Sequence, residues 1–199
     1  MSPLFLTTPR LVIRPFVPGD LMTIHRLLDV TFGDGSKVGD AAAIEERLSW
    51  LQWQILNEVW FAKMFQPLYG DRAVVRQSTG ELIGSVGYVP LIGPFDQIPE
   101  LARTPASNGA FIPEFGLFWA IDPAHQGQGY ATEAAQAMIA YAFDTLNLRR
   151  IIAMTNDDNL ASQAVMRKAG MTLTRNPLPE PPWLQVVGFA LNPQRTTTD

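Results

Sequence analysis

Gln126-Gly127-Gln128-Gly129-Tyr130-Ala131 lies between a run that reads as a strand, Glu114–Asp122 (EFGLFWAID), and one that reads as a helix (ATEAAQAMIAYAFDTLN). At the start of a helix, successive backbone N–H groups turn positive partial charge toward one point. Glycines at 127 and 129 let the main chain approach an anion where a Cβ would block it. A diphosphate is the natural guest of such a nest. The same strand–glycine–helix turn can also merely reverse a chain, so the spacing must be compared with other phosphate loops. The Walker A pattern ends in Gly-Lys-Ser/Thr, a tripeptide this sequence lacks. The dinucleotide fingerprint GxGxxG requires Gly or Ala where Thr132 stands, and it usually opens an N-terminal βαβ unit. Here the loop comes two-thirds along the chain.

The elements that must hold this loop can be read from periodicity. Arg10–Phe16 (RLVIRPF) reads as a short strand, followed by a turn at Pro18-Gly19 and a helix over LMTIHRLLDV with Asp20 as its cap. Asp40 is the second candidate cap, before a long helix whose stripe is Ile44, Leu48, Leu51 and Ile55. Ala73–Gln77 and ELIGSVGYVPLI form a hairpin. Gly93–Pro113 carries four prolines and little periodicity, an unusually long loop that suggests a functional or interface insertion. After the glycine loop, Ala131, Ala135, Met138, Ala142, Phe143 and Leu146 form the inward stripe of a helix. Arg149–Thr155 is a strand, Asn156–Asn159 caps a short helix closed by Gly170, and MTLTR and WLQVVGFAL are the last strands. The strand–helix–strand unit requires a parallel crossover among otherwise antiparallel strands. The fold class is therefore α+β with a mixed sheet.

Composition narrows the chemistry. With no cysteine in 199 residues, disulfides, thiolate metal sites and cysteine nucleophiles are excluded. Two histidines, His25 and His125, make a histidine metal centre improbable. Fifteen Lys+Arg against nineteen Asp+Glu leave a net charge of −4, which gives no footprint for nucleic acid or anionic membrane and is compatible with a cationic acceptor. MSPLFLTTPR has no basic region followed by an apolar one, and no uncharged run reaches a membrane-spanning length. The expectation is a soluble, cytoplasmic protein.

The loop matches Q/R-x-x-G-x-G/A, the pyrophosphate loop of the GNAT N-acetyltransferase superfamily. Around it RLVIRPFVPGD, GELIGSVGY, EFGLFWAIDPAHQGQGYATEA and TNDDNLASQAVMRKAGM resemble the RimJ/RimL-like branch, in that family's order and over almost the whole chain. The resemblance implies a single GNAT domain over residues 1–199. Its mixed, mostly antiparallel sheet would have about seven strands, flanked by helices, with splayed parallel central strands. It implies acetyl-CoA as cosubstrate and no metal. Main-chain groups of Phe118, Trp119, Ala120 and Ile121 would bind the pantetheine arm as an added strand does. Amides of Gln126, Gly127, Gln128, Gly129, Tyr130, Ala131 and Thr132 would bind the pyrophosphate. Asn159 would hydrogen-bond the pantetheine, and Ser162 would lie near the sulfur. The insertion at 93–113 and the proline-rich turn at 176–182 depart from the pattern, in the regions where acceptor choice would be made.

Acetyl transfer needs a neutral amine. At pH 7 an α-amine is roughly 10% neutral and a lysine about 0.04%, so lysine needs a base far more. Without cysteine there is no thioester acyl-enzyme, and His25 and His125 are poorly placed for a serine triad. Direct attack in a ternary complex follows, with the oxyanion met by a main-chain N–H near Trp119. Glu114 is the candidate base, or else a solvated carboxylate ahead of a buried strand. Ser162 is the candidate acid for the departing thiolate, or else a helix-start hydrogen bonder. Tyr88 is an alternative acid or a core tyrosine. Asp157 and Asp158 read as capping residues, and His125 as solvated beside the loop. Trp50, Trp53 and Trp60 read as an aromatic cage or as ordinary packing. The acceptor reading is a primary amine, either a protein N-terminus or a small molecule such as an antibiotic or polyamine. A non-catalytic acyl-CoA sensor or interaction module is the reading from another class. The insertion could serve a homodimer interface.

Overall fold

The computed structural model describes residues 4–102 and 111–195. The elements in chain order are β1 (Leu6–Thr7), β2 (Leu11–Arg14), α1 (Leu21–Phe32), α2 (Ala41–Lys63), β3 (Gly70–Arg76), β4 (Leu82–Gly93), β5 (Ile112–Ile121), α3 (Tyr130–Asp144), β6 (Arg150–Thr155), α4 (Leu160–Lys168), β7 (Thr172–Arg175) and β8 (Val186–Leu191). The strands form one sheet in the order β1-β2-β3-β4-β5-β6-β8-β7. This is the α+β, mostly antiparallel sheet that the sequence implies, with β1 as an extra, two-residue edge strand. The parallel pair is β5 with β6, described at the register Gly116↔Ile152, whereas β6 pairs with β8 along its whole length from Arg150↔Leu191 to Thr155↔Val186. No helix among the described residues is long and apolar enough to cross a membrane.

The chain packs as two compact units. The first comprises residues up to Tyr88 together with Phe118–Ala137. Its core sets Ile24, Leu27 and Leu28 of α1 and Leu51 of α2 against Ala73, Val75, Leu82 and Ala120 of the strands. Strands β4 and β5 approach closely here: a Cβ at Gly84 would lie 2.5 Å from the carbonyl oxygen of Ala120, so only glycine fits. Asp40 caps α2 by accepting from Ala43 N–H at 2.8 Å. Asp20 stands at the cap position of α1 but makes no capping bond. Its carboxylate instead takes Arg14 and the Val17 amide. The stripe expected for α2 is displaced, since its buried residues are Leu51, Gln54, Asn57 and Phe61 while Leu48 is exposed. Two amides on the buried face break the apolar periodicity that would have revealed it.

The second unit comprises Val89–Leu117 and residues from Met138 onward. Part of the expected insertion belongs to its core: Phe95, Ile98 and Leu101 are fully buried with Ile112, Ile152, Leu184, Val187 and Phe189. Aromatic and branched residues among prolines thus act as packing groups without any strand or helix period. Residues 103–110 of that insertion lie outside the described residues. The buried stripe of helix α3 is Ala134, Ala135, Met138, Ile139 and Ala142, with Ala131, Phe143 and Leu146 only partly covered. Gly170, at φ +88°, closes α4 as expected.

Candidate functional site

In the first unit, β5 ends at Ile121 and the chain turns through Pro123–His125 into the glycine loop and then α3. Asp122 starts that turn by accepting from the Ala124 amide at 3.0 Å, and Arg26 of α1 pairs with the same carboxylate. Burial alone would push Asp122 up, but the Ala124 amide, Arg26 and His125 outweigh it and hold the carboxyl below its ordinary value. Gly127 and Gly129 have φ of +73° and +83°. Nothing lies within 4 Å of a Cβ built at Gly127, so glycine there is a conformational requirement, not one of space within the chain. Gln126, just before these glycines, is extended at φ −70° and ψ 166°, so the backbone alternates its direction through the loop, as anion-binding turns of successive N–H groups do. The first amides of α3, from Tyr130 to Thr132, add donors that have no preceding turn to bond.

The two glutamines of the loop fold back into it. Gln126 Nε2 donates to Ile121 carbonyl at 2.8 Å and Gln128 Nε2 to Ala124 carbonyl at 3.4 Å. Glu133, one turn into α3, accepts from Thr8 Oγ1 at 2.6 Å and from the amide and Nε of Arg10 at 2.9 and 2.6 Å. Burial would raise the Glu133 carboxyl, but these donors outweigh it and hold it lowered. Arg10 also donates from Nη1 to Gln128 carbonyl at 2.9 Å and lies over the Tyr130 ring at 4.5 Å. His125 is mostly covered, with Nε2 3.4 Å from Glu81, instead of standing solvated. Phe118 packs against the core of this unit and against Phe32, at a ring separation of 5.9 Å, while Ala120 and Ile121 are buried.

In the second unit Glu114 is neither solvated nor free. It is 8% exposed, and Arg150 of β6 grips both its oxygens, Nε lying 2.9 and 2.8 Å from Oε1 and Oε2 with Nη2 also on Oε1. Arg150 Nη1 donates to Leu101 carbonyl at 3.0 Å, tying the pair to the inserted segment. The pair forms part of the wall of a cavity of about 750 Å³ that Leu91, Ile92, Leu101 and Pro113 also line. On α4, Asn159 caps the helix by accepting from Ser162 N–H at 3.0 Å. Asp157 carries no cap bond; its carboxylate pairs with Arg175 and its amide donates to Gln185. Tyr88 is a buried core tyrosine.

The tryptophans do not form one cage. Trp50 packs edge-on against Phe16 at 5.4 Å and takes Arg47 on its face, while exposed Trp60 takes Lys63. A polar group that the sequence did not single out lies beneath α2. Asp71 accepts from Ser85 Oγ at 3.1 Å, its amide donates to Gln54, and burial pushes its carboxyl up to about 6 despite Ser85, Arg72 and Arg47. Neither Asp71 nor Arg10 carried a sequence signal. Asp71 opens a strand by an ordinary-looking dipeptide, and Arg10 lies 118 positions from the carbonyl it holds.

The fold, with its strand, glycine loop and helix in this order, is shared with known proteins. The model of the acetyltransferase (GNAT) domain matches residues 10–172, so the chain belongs to that family. The uncharacterized N-acetyltransferase YnaD of Bacillus subtilis is 49% identical over 57 residues, covering 29% of this chain and 34% of that protein. An FsC-acetyl coenzyme A-N(2)-transacetylase of Aspergillus fumigatus is 37% identical over 113 residues, 57% of this chain and 44% of that protein. The chain thus aligns with a third to under half of the length of these relatives. Among solved structures, RimL, a ribosomal L7/L12 alpha-N-protein acetyltransferase in complex with coenzyme A, shares the fold with a TM-score of 0.59 at 17% identity, over 94% of this chain and 96% of that one.

Proposed function

We propose that the chain acetylates a primary α-amine by direct attack on acetyl-CoA, with no acyl-enzyme. The observation that carries this is the loop with left-handed Gly127 and Gly129 at the head of α3, a cradle for a diphosphate. Bound there, acetyl-CoA supplies a thioester: the amine nitrogen forms a C–N bond, the C–S bond breaks, and the thiol leaves with a proton. Amides from Gln126 to Thr132 hold the pyrophosphate, and the main chain of Phe118 to Ile121 holds the pantetheine arm. An amide near Trp119 faces the developing oxyanion. Asn159 and Ser162 keep the roles that the family resemblance implies, pantetheine contact and proton return to the thiolate.

The choice of an α-amine rests on Glu114. Both Glu114 oxygens are already taken by the Arg150 guanidinium, so this carboxylate has no oxygen free to meet an acceptor amine. An acceptor with pKa near 8 sheds its proton to water at neutral pH, while a lysine near 10.4 does not. RimL's alpha-N-protein acetylation supports this choice, and the fungal relative is an N(2)-transacetylase. The test is thiol release from acetyl-CoA against a panel of peptides with free N-termini, N-blocked lysine peptides, polyamines and aminoglycosides. Turnover on free α-amines with little on blocked lysine peptides is expected. Preference for lysine would sink the α-amine reading, and tight CoA binding without turnover on any amine would favour the sensor.

A further inference from the structure

The loop that would receive a diphosphate contains no lysine or arginine, in a chain whose net charge is −4. The amides of the loop supply only partial charges, whereas CoA brings formal ones. Arg10, from the N-terminal strand region, is placed where that deficit lies. Its Nε is pinned to Glu133, its Nη1 to Gln128 carbonyl, and its Cζ lies 4.5 Å from the centre of the Tyr130 ring. Nη2 makes no hydrogen bond within the chain among the described residues. It is the atom nearest to the missing Cβ of Gly129, 3.4 Å away. The side chain is still 46% exposed. A guanidinium fixed on two edges and open on the third is preorganised to meet a phosphate oxygen.

We propose that Arg10 is a phosphate-binding and loop-positioning residue: Nη2 meets a CoA phosphate, while Nη1 and Nε lock the loop carbonyl and Glu133 so that the Gly127–Gly129 amides face the ligand. Gly129 is glycine on this account for its left-handed backbone, since a Cβ there would meet Arg10 Nη2 only in ordinary contact at 3.4 Å. Glu133 is the second positioning residue, because it fixes the guanidinium from the far side and partly offsets its charge when no phosphate is present. This inference rests on the reading of the loop as the CoA site.

The experiment is calorimetric titration of CoA into wild type, Arg10→Gln and Arg10→Lys at low and high ionic strength. A charge-assisted contact predicts that Arg10→Gln binds about tenfold or more weakly at low salt. That deficit should shrink as salt screens the exposed charge. Arg10→Lys keeps the charge but cannot bridge Glu133, Gln128 and phosphate at once, so it should retain the salt dependence with an intermediate affinity. Arg10→Gln binding like wild type, or a deficit equal at both salt concentrations, overturns the phosphate role. If Arg10→Gln fails to fold, Arg10→Lys decides: affinity insensitive to salt overturns the proposal. Wild-type protein that does not bind CoA at all overturns the reading of the loop itself, a result distinct from normal wild-type binding with an indifferent Arg10 variant.

Discussion

Glu114 and Arg150 meet with 5% and 17% of their side chains exposed, in an arrangement where each neutralises the other. Removing only the cation leaves a carboxylate enclosed without a partner, a loss of about 3–5 kcal/mol for buried pairs. Arg150→Met should therefore lower the melting temperature strongly, and adding Glu114→Gln to it should recover most of the loss in the same thermal melt. Glu114→Gln alone should leave the pH–rate profile on an α-amine peptide unshifted. A profile that loses its acidic limb would restore Glu114 as the base. Asp71 makes the opposite electrostatic argument. Its carboxyl is raised to about 6 in the fold from an ordinary value of 3.8, so the native state favours the protonated form. The stabilisation from that proton is full below about pH 4 and is lost as pH rises through about 6. Asp71→Asn should thus flatten the decline of stability across that window and gain on the order of 1–3 kcal/mol at pH 7–8. Chemical denaturation at several pH values measures it. A variant with the wild-type slope would show that Asp71 does not titrate in the fold.

At the scale of elements, α4 and the glycine loop each depend on one backbone feature. Asn159→Ala removes the bond to Ser162 N–H, a loss of about 1 kcal/mol by denaturant midpoint. Gly127→Ala places a Cβ where nothing lies within 4 Å, so its only cost within the chain is the positive φ, about 1 kcal/mol. Its larger effect should be on CoA affinity, since the loop would relax away from the conformation that aligns its amides. An alanine variant that loses stability but binds CoA normally would contradict this. These two features were legible in the sequence, because Asn before a helix and Gly-x-Gly after a strand are local signals. The strand–helix order and the antiparallel-then-parallel sheet were legible for the same reason. The buried face of α2 was not, because Gln54 and Asn57 occupy core positions that periodicity assigns to apolar residues. Phe95, Ile98 and Leu101 were read as loop, since packing without a repeat leaves no pattern. The partners of Arg10 and Glu114 were invisible, because each contact closes a chain separation that no local spacing encodes.

For the molecule as a whole, ligand binding and folding are linked. A chain that binds CoA only when native gains about 2.7 kcal/mol at a free ligand concentration of 100 times Kd. For a protein of this size roughly 2–4 °C accompany each kcal/mol, so the melting temperature should rise by about 5–10 °C. The net charge of −4 disfavours any nonspecific attraction to a polyanionic ligand, so the increment must come from the local nest and from Arg10. Gly129→Glu tests this with a carboxylate placed into the nest and against Arg10. That variant melts lower on its own because of the strain at φ +83°, so the measured quantity is the ligand increment, not the absolute temperature. The increment should vanish in Gly129→Glu while CoA still raises the wild-type melting point. Equal increments in the two proteins would place CoA elsewhere on the chain. A wild-type increment together with turnover on α-amine peptides identifies the enzyme, whereas the same increment without turnover on any amine identifies the sensor.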